Sequence, residues 1–488
     1  MATAKITDFA LYRWRYYLGF AAIGMLLAIA IIVVTFVSPG GINRDEMNSV
    51  VASTFTPPQT LLGQSAEHIV HLPYRLFQKL SLAALDVNVL SIKLPSIVLS
   101  VGAILALYGL LRLWFRRNVA IISSIIAIVT GQFLLLMQLG TPAASYIFWN
   151  AAILYSVSML ARTEKYHVFW LLAATTFAAL SLYSPMQLYI VIALFVTCLI
   201  HPHARFVVMQ TKSWILGMCA VWFGILVLPI VLSVIRQPHL ILTLLGIPSD
   251  LSIFSLETVK TQLRQYIGFT TPSSGLRLSP AYGLGIIALA SVGLYRLFTE
   301  KYTAKSYILT LWLILLLPLI ITNPDAVTMT FIPTMLLLAY GIDYIIRSWY
   351  RLFPNNPYAR VFGLIPLCVL VSGITLSGIE RVVNGYHYDP RSSNIYTNDV
   401  QLLTDAVSAH PNTPIVLAVP RDLQAFYTVY SDRTPHTPKI RVISDSTALE
   451  KGVTIVHRNS TLARTAAPTN ILVSRVSTDA DRFYLYKK

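Results

Sequence analysis

The sequence predicts an α-helical polytopic membrane protein with a small α/β domain at its C-terminal end. Three observations predict it. Of 488 residues, 55% are hydrophobic and only 12% charged, and the mean hydropathy of +0.64 excludes an ordinary soluble core. About eleven runs are apolar for long enough to cross the hydrocarbon layer as helices, where lipid offers no partner to an unpaired backbone group. From about residue 381 onward the composition becomes that of a soluble domain.

The expected spans are 16–37, 94–114, 119–139, 143–160, 167–183, 186–200, 213–235, 282–298, 306–322, 327–346 and 361–379. The first is too long for a signal-peptide core and reads as an uncleaved anchor. Alternate short connections are basic: Arg13 and Arg15, then Arg112, Arg116 and Arg117, Arg162 and Lys165, Arg205 and Lys212, Arg296, Lys301 and Lys305, and Arg347, Arg351 and Arg360 all fall on one side. The positive-inside rule places that side, with the N-terminus, in the cytoplasm of a multi-pass cell-membrane protein. An odd number of spans then puts the C-terminal domain outside.

The formal charge of +16 is thus explained by loops at a membrane surface, with lipid headgroups as the partner, and no nucleic acid is expected. Cys198, Cys219 and Cys368 all lie inside apolar runs and give neither a disulfide framework nor metal-ligand spacing. No His/Cys/Asp/Glu cluster and no Gly-rich phosphate loop appears, so no metal or cofactor is expected.

The topology sends two long connections, 38–93 and 236–281, to the outer face together with the tail. Residues 1–380 form the transmembrane body and 381–488 the outer domain. In the first loop, Leu62, Ile69, Val70, Leu72, Leu76, Phe77 and Leu80 interleave with polar residues, a pattern that suits short helices lying in the interface. In the tail, 414–420, 439–444, 453–457 and 470–475 read as strands and 422–430 as a helix.

Arg44, Asp45 and Glu46 stand together where the first span leaves the bilayer. A carboxylate of ordinary pKa is ionised at neutral pH, so either acid is suited to take a proton from an attacking hydroxyl or amine. Arg44 is a cation beside them. His71, Arg75 and Lys79 recur at a spacing of four, which predicts one face of an interfacial helix. With Arg264 and Arg277 of the second loop, they supply the cations that a phosphate leaving group calls for. Asp325, after Asn323-Pro324 at the outer end of a span, has two readings, a group facing the outer cavity and, the commoner one, a turn residue; Asp343 pairs with Arg347 one turn on. Asn459-Ser460-Thr461 matches a glycosylation acceptor, a pattern common by chance.

An acidic residue soon after the first span, the Pro-aromatic stretch HLPYRLF, and a second span opening IKLPSIVLS resemble the GT-C glycosyltransferases. Within them the sequence is most similar to dolichyl-phosphate-mannose protein mannosyltransferases and lipid A aminoarabinose transferases, over about residues 40–160 and more weakly to about 346. The resemblance implies inverting transfer of a sugar from a polyprenyl-phosphate donor to a protein, lipid or glycan acceptor, with Asp45 in the place of the family's loop carboxylate. The chain departs from the family in three places. QLGTPAASYIFWN lacks the Arg and Asp that relatives often carry there, His71 stands where a Lys is common, and Met329-Thr330 replaces an Arg-Tyr pair. The competing expectation is a non-enzymatic lipid-linked sugar transporter or envelope assembly factor. Repeated halves with matched broken helices would mark a transporter, and none is visible in the sequence.

Overall fold

Among the described residues, each of the eleven apolar stretches contains helix. The computed structural model describes residues 10–33, 41–54, 68–163, 165–247, 256–267, 280–300, 302–355, 357–386, 395–436, 438–444, 452–464, 467–474 and 481–487. Among these residues six helices are long and apolar enough to cross a membrane, or eight if two bent pairs count as one span each, and three further apolar helices are shorter. The expected boundaries shift. The first helix, α1, is Ala10–Ile32, beginning six residues before the expected span. The expected span 119–139 is broken into α5 (Arg117–Val129) and α6 (Gly131–Gln138), bent by 57°.

Between them come the pieces of the first loop: α2 (Arg44–Thr54), α3 (Leu72–Leu85) and the long α4 (Val89–Trp114). Helix α4 starts at a capping box in which Asn88 Oδ1 accepts from Ser91 N and Ser91 Oγ accepts from Asn88 N. The body continues with α7 (Ala143–Leu160), α8 (His167–Ser181), α9 (Leu188–Ile200), α10 (Pro202–Met209), α11 (Ser213–Arg236), α12 (Leu240–Leu245) and α13 (Leu256–Ile267). It ends with α14 (Leu284–Thr299), α15 (Ala304–Thr322), the short α16 (Ala326–Met329), α17 (Phe331–Leu352) and α18 (Pro357–Glu380).

Helices α14 and α17 cross with their backbones in contact. A Cβ on Gly293 would strike the Leu337 carbonyl, and one on Gly341 the Leu289 carbonyl, so only glycine lets these backbones touch. The expected pair Asp343–Arg347 is formed at 2.6 Å on α17.

The tail is an α/β domain with two elements more than the sequence suggested. Helices α19 (Asp399–Ser408) and α20 (Gln424–Arg433) accompany strands β1 (Ile415–Val419), β2 (Arg441–Ser444), β3 (Val453–His457), β4 (Asn470–Val473) and β5 (Asp481–Lys487), of which α19 and β5 were not expected. The sheet order is β2-β1-β3-β5-β4, with β1 parallel to both neighbours and β5 antiparallel to β3 and β4.

This domain does not hang free of the body. Ile42 forms an antiparallel bridge with Thr397, and Ile42, Met47 and Val50 share one apolar core with Leu417, Phe426, Tyr427 and Phe483. Helix α2 is therefore clamped between the tail and the helical body, and its position is set from both sides.

Candidate active site

Helix α2 begins with a second capping box. Asn43 Oδ1 accepts from Glu46 N at 2.8 Å, and Glu46 Oε2 accepts from Asn43 N at 2.7 Å. The other oxygen, Glu46 Oε1, accepts from Gly140 N at 2.6 Å. Glu46 is fully buried, and burial raises its pKa, with the charge of Lys93 and the two backbone donors opposing. The Lys93 side chain, from the IKLPS stretch, is equally buried and its Nζ lies 6.0 Å from the Tyr396 ring centroid. Expected as a catalytic group, Glu46 instead holds the start of α2 against the α6–α7 loop, because its oxygens are turned to backbone donors.

One residue earlier, Asp45 points the other way. It is exposed and, with Asn48, Ser49 and Ala52, forms a stripe of α2 along a cavity of about 560 Å³. The spacing i, i+3, i+4, i+7 is what one helix face presents. The opposite wall brings His71 and Arg75, the α6 side gives Gln132 and Leu136, and Pro324, Asp325 and Thr328 close the rim.

Gln78 fixes these parts to one another. Its Oε1 accepts from Ser49 Oγ (2.8 Å) and Ser53 Oγ (2.7 Å) of α2, while its Nε2 donates to the carbonyls of Ile92 (3.2 Å) and Gly140 (3.0 Å). A single buried amide thus ties α2, α3, α4 and the α6–α7 loop, and it satisfies every partner it buries.

His71 is not on the helix face that its spacing with Arg75 and Lys79 suggested. It precedes α3 with φ 60°, in the left-handed region, and its N–H donates to Tyr183 O at 2.7 Å. Its ring meets Tyr146 edge to face at 5.6 Å. Enclosure by protein, helped by the charge of Arg75, lowers its pKa to about 3, so the imidazole is neutral. Arg75, partly buried, lies 3.3 Å from His68 Nδ1 through Nη1. Its pKa is lowered by burial, a shift from so high a value that the charge stays. Lys79, further along α3, does not border the cavity.

Of the other expected cations, Arg44 and Arg264 stand apart from the cavity. Arg44 pairs with Asp422 of the tail at 2.6 Å rather than with its acidic neighbours, since its side chain leaves α2 on the face away from the cavity. Arg264 is exposed on α13, and the adjacent Gln265 is the residue that reaches the cavity wall. Arg277 lies outside the described residues. Asp325 is both the turn residue expected and a second carboxylate at the cavity: its N–H donates to Asn323 Oδ1 at 2.9 Å and its carbonyl accepts from Thr328 Oγ1 at 2.7 Å. Among the described residues no group of three or more His, Cys, Asp or Glu is placed to hold a metal.

A second cavity, about 580 Å³, lies beyond the α5–α6 break. Thr130 and Gly131 line it where Gln132 lines the first, and the apolar face of α18 with Val369, Leu370 and Ile374 forms its outer wall. Arg381 stands at its end, donating to Pro280 O at 2.8 Å. No signal in the sequence singled out Arg381 or Gln78, because the importance of each depends on segments far away in the chain.

The family model described as dolichyl-phosphate-mannose-protein mannosyltransferase matches residues 73–232. No curated protein matches the chain. Among solved structures, ArnT from Cupriavidus metallidurans, bound to undecaprenyl phosphate, is 10% identical with a TM-score of 0.51, covering 95% of this chain and 98% of that one. The Archaeoglobus fulgidus oligosaccharyltransferase, tethered with an acceptor peptide containing the NVT sequon, is 8% identical with a TM-score of 0.52. That match covers 88% of this chain, which spans only 64% of the oligosaccharyltransferase. A multi-pass helical body with a small sheet domain at its end, matched along nearly its whole length by ArnT, gives this chain the fold of the GT-C glycosyltransferases.

Proposed function

We propose that the chain is a glycosyltransferase that moves a sugar from a polyprenyl-phosphate donor to an acceptor at the outer membrane face, with Asp45 as the general base. The observation that carries this reading is the shared cavity, in which the Asp45 carboxylate, the Arg75 guanidinium and the neutral His71 imidazole line one space. Undecaprenyl phosphate in the ArnT structure, and the family match over 73–232, support a lipid-phosphate donor. The largely apolar cavity that borders α18 suits the polyprenyl chain of such a donor.

In this reaction the acceptor hydroxyl gives its proton to Asp45 as its oxygen bonds to the anomeric carbon. The bond from that carbon to the phosphate oxygen breaks on the far side, and its electron pair leaves on the phosphate. One displacement inverts the anomeric centre. Arg75 meets the growing phosphate charge, and its partial burial strengthens that attraction. His71, uncharged, acts through a hydrogen bond. Asp325 supplies a carboxylate from a different segment than the 138–150 stretch, which holds no acid. Glu46 has a positioning role, and Arg264 belongs to the donor's approach rather than to the cavity itself.

The transporter reading gains nothing from the broken helices. The α5–α6 bend lies beside the Asp45 cavity, whereas α9 and α10, bent by 91°, meet at His201 near Tyr302, toward the Trp114 end of α4. The breaks therefore do not face each other across a midplane site. The deciding experiment uses the purified chain in nanodiscs with a panel of radiolabelled polyprenyl-phosphate sugars and membrane acceptors. Label should move from one donor and stop moving in Asp45→Asn, with insertion and thermal unfolding intact; unchanged turnover in that variant overturns the assignment.

A further inference from the structure

A third space opens on the other face of α2. The chain leaves β1 for β2 on one side and returns to β3 on the other, so the carboxyl ends of β1 and β3 flank a point where the connections diverge. In open α/β sheets a crevice outside the carboxyl ends of the strands at such a point is where ligands bind. A cavity of about 390 Å³ lies there, at the small end of the roughly 300–1,000 Å³ typical of small-molecule sites.

Its floor is a closed ionic set. Asp399, fully buried, takes both Arg482 Nε and Nη2 at 2.8 Å and the Tyr427 hydroxyl at 3.2 Å. Its rim carries the Arg44–Asp422 pair. Each cation therefore faces a carboxylate across the cavity wall. Between floor and rim stands His457, 1% exposed. Its Nδ1 accepts from Asn459 N at 3.1 Å, which leaves the proton on Nε2. That Nε2 has no hydrogen-bond partner, and the nearest carboxylate oxygen, Asp399 Oδ2, is 3.9 Å away. Burial lowers the His457 pKa to about 4, so this imidazole is a neutral donor at physiological pH.

A buried donor without a partner is costly unless something fills the space, and charges already paired leave no net field to attract an ion. What remains is an alternation of donors and acceptors: His457 N–H, the Asn459 amide, and the exposed Arg44–Asp422 pair. Neutral, hydroxyl-rich molecules meet such a wall at each hydroxyl, giving and receiving at once.

We propose that this crevice binds a neutral saccharide, held by His457, Asn459 and the Arg44–Asp422 pair. The site deepens the glycosyltransferase reading by placing a sugar-binding subsite outside the transfer cavity. Helix α2 joins the two: Arg44 and Met47 face the crevice, while Asp45, Asn48 and Ser49 face the other cavity. The tail then presents a glycan beside the base.

The test reads binding and not turnover, so it fails independently of the catalytic assignment. The full chain in nanodiscs is titrated with the methyl glycosides of glucose, mannose and galactose and with their disaccharides, followed by saturation-transfer difference NMR. At least one should give a saturable signal that is unchanged in Asp45→Asn. Loss of one ligand hydrogen bond corresponds to about 1 kcal/mol, so His457→Phe and Asn459→Ala should each weaken it roughly five- to tenfold. If His457→Phe fails to fold, Asp422→Asn at the exposed rim carries the same expectation. Absence of binding by every neutral sugar, a signal that survives His457→Phe and Asp422→Asn, or tighter binding of glucuronate than of its neutral counterpart overturns the proposal.

Discussion

Glu46 Oε1 accepts a 2.6 Å hydrogen bond from the backbone N–H of Gly140 and so pins the start of α2 to the loop that closes the opposite wall of the Asp45 cavity. The contact is close on every side. A Cβ at Gly140 would lie 2.7 Å from Ile92 Cγ2 and 3.1 Å from Glu46 Oε1. Glu46→Gln puts an amide N–H against a backbone donor and should cost about 1–3 kcal/mol, since the partner is left buried and unsatisfied. Gly140→Ala overpacks the same point, with a similar cost expected. Both should lower the thermal midpoint of the purified chain in detergent. A midpoint unchanged in both variants would mean that this bond holds nothing together.

Gln78 extends the same argument inward. Replacing it with Leu keeps the bulk of the side chain but strands two serine hydroxyls and two carbonyls, all within a buried neighbourhood. The hydroxyls can turn to other acceptors, and the carbonyls of Ile92 and Gly140 cannot move so easily. A loss on the order of 2 kcal/mol is expected from a buried network broken at its centre. Transfer activity should fall further than stability, because α2 and the Gly140 loop are the two walls the cavity depends on. Activity that tracks the folded fraction alone would limit Gln78 to a packing role.

The depressed pKa of His71 gives a pH dependence with a definite sign. The unfolded chain protonates this imidazole near pH 6.5, the folded chain only near pH 3. Between those values the unfolded state binds more protons, so the His71 contribution is complete above pH 6.5 and is lost as pH falls toward 3. Thermal midpoints measured from pH 8 to pH 4 should decline more steeply in the native protein than in His71→Asn, a residue that tolerates φ near 60°. The turnover profile between pH 6 and 8 should carry no inflection from His71. An inflection near 6.5 that disappears in His71→Asn overturns the neutral assignment.

The Arg44–Asp422 pair joins body and tail, but both side chains are well exposed, at 65% and 48%. Solvent screening leaves such pairs about 0–1 kcal/mol, and the shared apolar core of Ile42, Met47 and Val50 with the tail does more to seat the domain. A double-mutant cycle of Arg44→Ala and Asp422→Ala should give a coupling below about 1 kcal/mol that shrinks as salt is added. Polar substitution at Met47 should destabilise the chain more than either. A large, salt-insensitive coupling would show that the tail is held chiefly by charge.

Much of this architecture is written in local patterns. Long apolar runs, basic loops and the strand signals of PIVLAVP and VTIVH all depend on neighbouring residues, so the helices and most of the sheet are legible. The break at Thr130 is not, because GQFLLLMQ continues the apolar run without a proline. Asp45 stood out through its position after the first span. The roles of its neighbours did not, since a carboxylate turned to backbone donors and one turned to a cavity look identical in a sequence. The regular spacing of His71 and Arg75 pointed to a helix face, whereas the left-handed turn at His71 brings the two to the cavity by another route. For Asp325 the sequence leaves a turn former and a cavity group side by side, and it is both; which of the two holds depends on how α15 and α16 pack, which no local pattern encodes.

Asp325 offers the sharpest test of the catalytic assignment, because two carboxylates line one cavity and only one is proposed as the base. The turn around Asp325 is secured through backbone atoms and Asn323, so Asp325→Asn should leave the fold in place. Asp45→Asn likewise keeps the α2 start, whose capping box belongs to Asn43 and Glu46. Removing a general base costs on the order of 10²- to 10⁴-fold in turnover, and that loss should fall on kcat in Asp45→Asn with little change in KM. Asp325→Asn should instead alter KM for donor or acceptor and spare kcat within about tenfold. The reverse pattern, with kcat lost in Asp325→Asn and kept in Asp45→Asn, would transfer the role of base to the other wall.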